Sequence, residues 1–171
     1  SGHAKGYGFQ TGEKFSSTVH SWNAVKIGRN WQLIDVTWGS SYGETTDKGL
    51  KSTMKFDPYW FGVKPDAFIF SHFPQNNSWQ LISEIITLKQ YENLPSLKES
   101  FFKIGFDPKK ALQQALSGET KEFVDTYHID YPVNGAELPI TKKIERGKEY
   151  TFSIESEYLE NVMLVDGGQW I

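Results

Sequence analysis

The sequence predicts an α+β chain of two modules in which short antiparallel strands outnumber helices, and three observations carry this. Strand-like runs at residues 19–27 and 30–38 flank the loop Gly28-Arg29, with Gly at the first central position as a type II′ hairpin prefers. Short apolar runs broken by Asn134-Gly135, Arg146-Gly147 and Gly167-Gly168 recur through the second half, a spacing typical of an antiparallel sandwich. The charge balance also shifts near the middle: residues 1–85 hold eight basic and seven acidic side chains, residues 86–171 ten and fourteen. The expected division is a module over 1–85, a linker over 86–95 and a second module over 96–171.

In chain order, Gly2, Gly6, Gly8 and Gly12 punctuate a Tyr/Phe-rich segment suited to irregular strand and loop. These glycines lack the strand-to-helix context and Gly-Lys-Ser/Thr ending of a phosphate cradle. After the hairpin, residues 39–55 are polar and aperiodic and are expected to form a long surface loop. Residues 56–61 and 67–70 read as short aromatic strands separated by Gly62 and Pro65, followed by a turn at His72-Phe73-Pro74. Residues 97–106 are apolar in patches and carry no clear assignment. Asp107 as N-cap, Pro108 at the first helical position and Gly118 as stop predict a short helix over 109–116. Strands are expected at 122–131, 149–156 and 161–165.

Composition narrows the function classes. The 171 residues are 38% hydrophobic, 23% charged and 15% aromatic, a globular mix. No apolar run approaches the ~18 residues of a membrane helix. The net charge of −3 and the lack of a Lys/Arg cluster argue against a nucleic-acid partner. The absence of cysteine excludes disulfides, thiolate metal sites and a cysteine nucleophile within the chain. The chain opens on Ser1 without Met and closes inside an expected strand at Gln169-Trp170-Ile171, as a piece of a longer protein would.

The hairpin brings chemistry together. With Gly28-Arg29 as the loop, Ile27 faces Asn30, and continuing the ladder sets Trp22 opposite Asp35 and His20 opposite Thr37. Side chains alternate faces, so His20, Trp22, Asp35 and Thr37 share one. His20 and Asp35 are then diagonal neighbours ~7–8 Å apart at the backbone. An Asp beside a His fixes the ring tautomer and stabilises the imidazolium formed when a nucleophile loses its proton. A register slip of one residue would separate them. The same spacing also suits an ordinary surface pair worth ~0–1 kcal/mol.

The runs His20-Ser21-Trp22-Asn23-Ala24-Val25 and Trp31-Gln32-Leu33-Ile34-Asp35-Val36-Thr37-Trp38-Gly39 resemble the second half of a transglutaminase-like (papain-related) catalytic core. The segment from Ser1 to Gly8 resembles the strand that precedes the His there. Phe56-Asp57-Pro58-Tyr59-Trp60-Phe61, Pro65-Asp66-Ala67-Phe68-Ile69, His72-Phe73-Pro74 and Trp79-Gln80-Leu81 resemble the block that closes the core in the kyphoscoliosis peptidase and hillarin branch. The match covers residues 1–82; the motifs beyond are weak. The resemblance implies a partial transglutaminase-like core dominated by antiparallel β, followed by an immunoglobulin-like β-sandwich.

It further implies a Cys-His-Asp triad with His20 as general base, Asp35 as its orienter, and Trp22 and Trp38 as walls of the site; Trp38 equally suits core filling. Asn23 points to the opposite face and reads as structural. In this family the nucleophilic Cys opens a helix upstream of the Ser1–Gly8-like strand, so the chain is either a fragment from beyond that Cys or part of a pseudoenzyme that kept the fold. Ser1, Ser16, Ser17 and Ser21 are poor substitutes for a thiol. The implied partners are protein substrates, or cytoskeletal and cytokinetic proteins if the chain is a non-catalytic scaffold, or the N-terminal part of the same protein, in a cytoplasmic setting. No cofactor or metal is expected, because His3, His20, His72 and His128 show no metal-ligand spacing. His72 reads as a structural hydrogen-bonding residue, and Glu155, Glu157 and Glu160 as a solvated face. A carbohydrate platform of exposed aromatics fits less well, because the Trp residues fall at core-like strand positions.

Overall fold

The computed structural model describes residues 1–6, 8–17, 20–47, 49–127, 129, 133, 135–158, 160, 165–166 and 169–170. Helices and antiparallel ladders are mixed along the chain, which bears out the α+β class. Strand β1 (Gly2–Ala4) opens the chain, followed by the hairpin β2 (Asn23–Ile27) and β3 (Asn30–Ile34). The hairpin pairs as its loop dictates, Ile27 with Asn30 through Asn23 with Ile34, and Gly28 takes the positive φ of 61° that its turn position requires.

The ladder stops at Ile34, three residues short of the expected pairing of His20 with Thr37. Asp35 ends it: its Oδ1 accepts the Trp38 N–H at 3.0 Å and caps α1 (Val36–Ser40). Asp is among the strongest N-caps, and satisfying a helix donor outcompetes one more strand pairing. Residues 39–55 are not a loop either. They contain the hairpin β4 (Ser41–Thr46) and β5 (Gly49–Met54), with Thr46 opposite Gly49.

The aromatic block departs further from expectation. Asp57 caps a 3₁₀ turn at Pro58–Trp60, β6 (Phe61–Val63) pairs with β3, and Pro65 starts a short helix, α2 (Pro65–Phe68), where a strand was expected. Pro at N1 and Asp66 in the first turn are helix-start signals that outweigh a four-residue apolar run. His72, Phe73 and Pro74 form a strand, β7 (His72–Pro74), instead of a turn, and pair with β1: Gly2 with Pro74, His3 with Phe73, Ala4 with His72.

Three helices follow. In α3 (Leu88–Asn93) Thr87 and Gln90 form a reciprocal capping box. Next come α4 (Glu99–Lys103) and α5 (Pro108–Ser117). The last starts and stops as its sequence signals require, with the Lys110 N–H bonded to Asp107 Oδ1 at 2.6 Å and Gly118 in the left-handed region at φ 74°. Two short ladders complete the described chain, β8 (Gly135–Glu137) with β9 (Ser153–Glu155), and β10 (Val165–Asp166) with β11 (Gln169–Trp170). The strand expected at 122–131 is represented in its described part by one bridge, Phe123 to Thr141; residues 128, 130, 131 and 161–164 lie outside the described residues.

Among the described residues, apolar burial is organised in two clusters. The larger gathers Phe70, Ile86, Tyr91, Leu94, Phe101 and Leu112 from the α2–β7 corner and the three helices. The smaller, Leu33, Trp60, Val63, Ala67 and Phe68, fills the angle between β3, β6 and α2, with Trp22 and Trp38 packed against it. His72 leaves the strand β7 toward this second cluster and stacks on Phe68 with ring centroids 4.0 Å apart.

Candidate functional site

The site forms where β1 lies between His20 and β7. The Gly2 N–H donates to the His20 carbonyl at 3.0 Å and the His20 N–H to the Gly2 carbonyl at 3.2 Å, while the other edge of β1 pairs with β7. Only glycine permits this spacing: a Cβ at Gly2 would stand 2.0 Å from the Phe73 carbonyl oxygen and 2.7 Å from the Trp22 ring. His20 is therefore set by β1, and not by the extension of the hairpin that the sequence suggested.

Asp35 approaches from the cap of α1. Its backbone N–H donates to the Trp60 carbonyl at 3.0 Å, and its side chain is fully buried. Nε2–H of His20 donates to Asp35 Oδ2 at 2.5 Å, and Nε2–H of His72 donates to the same oxygen at 2.9 Å. Because an ionised carboxylate only accepts, both imidazoles carry their proton on Nε2. Ser71 Oγ lies 2.8 Å from the other nitrogen of His72, Nδ1. The structure thus joins His20 and Asp35, as expected, and adds Ser71 and His72.

Burial and bonding set the protonation of the site. Burial alone pushes the Asp35 carboxyl up, but the bonds from His72, the Trp38 N–H and His20 together hold it below the ordinary carboxylate range. Burial pushes the His72 imidazole down to about 4, against the opposing pull of Asp35. At neutral pH the cluster is an ionised carboxylate between a neutral, buried imidazole and the His20 ring, whose side chain is 16% exposed.

Aromatic rings enclose the three polar groups. Trp38 stands 5.7 Å from the His20 ring and 4.5 Å from His72, and Trp22 lies 6.2 Å and 5.0 Å from the same two rings. Trp60 meets Trp38 edge-on at 4.9 Å. Both Trp22 and Trp38 are half-buried, and each lies beside the His20 ring and packs against the second cluster. Ser21 is exposed and bonds Ser1 Oγ at 2.9 Å, and Asn23 is exposed at the first pair of the hairpin. Glu155, Glu157 and Glu160 are all exposed.

Donor atoms of His20, Asp35 and His72 lie within 4.8 Å of one another, a set that could meet on a metal ion. Sequence spacing did not reveal this grouping. In the geometry present, both Nε2–H groups are directed at one carboxylate oxygen; coordinating a cation would require each imidazole to move its proton to Nδ1.

Comparison with known proteins agrees with the motifs. The chain is 37% identical over 122 residues to kyphoscoliosis peptidase of Mus musculus, a match covering 69% of this chain and 18% of that protein. Hillarin of Drosophila melanogaster is 31% identical over 114 residues, 61% of this chain and 14% of the relative. This chain is homologous to the kyphoscoliosis peptidase and hillarin branch. The LIM and transglutaminase domain protein of Caenorhabditis elegans, 29% identical over 113 residues, covers 60% of this chain and 15% of its own length, and adds a transglutaminase-domain homologue. The chain thus spans under a fifth of the length of these curated relatives. No protein-family model and no solved structure matches it. No helix among the described residues is long and apolar enough to cross a membrane.

The residue that sequence reasoning undervalued is His72, which lies 37 positions from Asp35. Its assignment as a structural hydrogen-bonding group identified its chemistry without its partner. The signal that places it is the pairing of β7 with β1, a contact between distant segments that no local periodicity encodes.

Proposed function

We propose that this chain carries the base-and-orienter part of a transglutaminase-like thiol acyl-transfer centre acting on protein substrates. Under this reading residues 1–85 form the C-terminal part of the core, and a cysteine outside these 171 residues supplies the nucleophile. The observation that carries the proposal is the 2.5 Å bond between His20 Nε2 and the fully buried carboxylate of Asp35. A bond to a buried carboxylate fixes the ring and commits Nε2, so Nδ1 is the nitrogen available to a reactant.

The reaction would begin as Nδ1 of His20 takes the thiol proton and the thiolate adds to a substrate amide carbonyl. The tetrahedral adduct then collapses, its C–N bond breaks, and His20 returns the proton to the departing amine or ammonia, leaving a thioester. Water attacking the thioester gives hydrolysis, and a lysine amine gives a crosslink. Asp35 stabilises the imidazolium in both halves, in a site where the flanking rings of Trp22 and Trp38 limit water and strengthen that interaction.

The test uses the full-length protein with a glutamine-containing protein and a fluorescent primary amine, monitoring amine incorporation and peptide release together. Loss of turnover by about 100-fold or more in His20→Ala and Asp35→Ala, with the fold retained, is the expected result for a base and its orienter. Turnover in either variant equal to wild type would overturn the assignment. Absence of any turnover or thiol reactivity in the wild type would favour a non-catalytic scaffold.

A further inference from the structure

Asp35 has three donors and they are not equivalent. Trp38 N–H occupies Oδ1, while His20 and His72 share Oδ2. His20 is partly open to solvent, whereas His72 is fully buried. His72 is also fixed on every side. Its backbone pairs with Ala4, its ring stacks on Phe68, and Ser71 Oγ meets Nδ1. With no exposed surface it cannot touch a substrate, so any effect it has on chemistry passes through Asp35.

We propose that His72 is a positioning residue: its Nε2–H pins Asp35 Oδ2 in the orientation from which the carboxylate orients His20. The inference rests on the acyl-transfer reading above and extends it to a second histidine. Without His72 the Oδ2 atom would be held only by His20, the group it is meant to hold, and a buried carboxylate would lose one of its donors.

The proton inventory of His72 decides whether it can serve. Two patterns satisfy its neighbours. In one, the Ser71 hydroxyl donates to Nδ1 and His72 is neutral; in the other, a charged His72 donates from Nδ1 to Ser71 Oγ, and Ser71 donates to the Phe68 carbonyl, 3.2 Å away. Full burial and enclosure by Trp22, Trp38, Trp60 and Phe68 favour the neutral pattern. A neutral His72 leaves the negative charge of Asp35 available to His20 when the latter takes a proton. A charged one would set two cations, His20 and His72, 5.5 Å apart between ring centroids about one anion and oppose that step.

The test combines spectroscopy and kinetics in the full-length protein. With ¹⁵N-labelled histidine, His72 is expected to be neutral and protonated on Nε2 at pH 7, and His20 to be held with its proton on Nε2. In His72→Leu the tautomer preference of His20 should weaken, and the rate of thiol alkylation by iodoacetamide should fall about 10-fold. His72→Gln, whose amide can donate from the same place, should restore both to within about threefold. Ser71→Ala, which removes the hydroxyl at Nδ1 and leaves the bond to Asp35 in place, should keep the His72 proton on Nε2, and His72→Asn, whose shorter amide does not reach Oδ2, carries the test if His72→Leu does not fold. A charged His72 at pH 7, a proton on Nδ1, or a folded His72→Leu with unchanged His20 tautomer and alkylation rate would each overturn the proposal. If the wild type shows no reactive thiol, the acyl-transfer reading fails alone, and the tautomers of His72 and His20 still decide the positioning role.

Discussion

Lowering the pH from 7 to about 4.5 should destabilise the protein through His72, and the size of the effect follows from its surroundings. Burial holds the folded imidazole at about 4, against an ordinary value of 6.5. Between those values the unfolded chain binds a proton that the folded chain excludes, so stability falls as pH falls. The shift of about 2.5 units at ~1.4 kcal/mol per unit gives a total near 3 kcal/mol, most of it lost by pH 4.5. Above pH 7 this residue contributes no slope. The carboxyl of Asp35 adds its own loss only near and below its ordinary value of 3.8, because it is held below that range in the folded state. Urea unfolding of wild type and His72→Gln at pH 7 and 4.5 isolates the histidine, since the amide does not titrate. The expected result is a loss in wild type larger by about 2–3 kcal/mol than in the variant. Equal losses would refute the claim that His72 is buried neutral.

Three further outcomes follow from other parts of the fold. Gly2→Ala should destabilise by about 3 kcal/mol, because the new Cβ would sit 2.0 Å from the Phe73 carbonyl oxygen; thermal unfolding measures it, and a neutral result would show that β1 does not bind β7 as described. Lys5 is buried, bonds the Leu94 carbonyl at 2.7 Å, and is held by desolvation at about 7, below an ordinary 10.5. Its unfolded form binds the extra proton between those values, so stability should rise by about 2–3 kcal/mol from pH 7 to 9, a gain absent in Lys5→Met by urea titration. Gly118→Ala, forcing a Cβ onto a φ of 74° at the end of α5, should cost about 1 kcal/mol, read as a lower urea midpoint.

Local chemistry was legible in the sequence, and distant pairing was not. The hairpin register follows from Gly28-Arg29, and α5 from Asp107, Pro108 and Gly118, because each signal acts within a few residues of its effect. The meeting of His20 with Asp35 was anticipated through the wrong ladder. Asp35 leaves the strand to cap α1, and His20 reaches it by pairing with Gly2. Residues 67–70 are ambiguous in sequence because four apolar residues fit a strand or a buried helical turn equally well, and Pro65-Asp66 resolves the choice. The partner of His72 is the larger omission. The place of this histidine depends on β7 finding β1 across about 70 residues, and only the folded chain brings Ser71 and His72 behind Asp35.

The central claim is that His20, held by Asp35, activates a thiol. Its most direct test is alkylation of the full-length protein by iodoacetamide at neutral pH, with the modified residue located by mass spectrometry in wild type and His20→Ala. The account predicts one rapidly modified cysteine whose reactivity collapses in the variant. Equal modification in both proteins would contradict it.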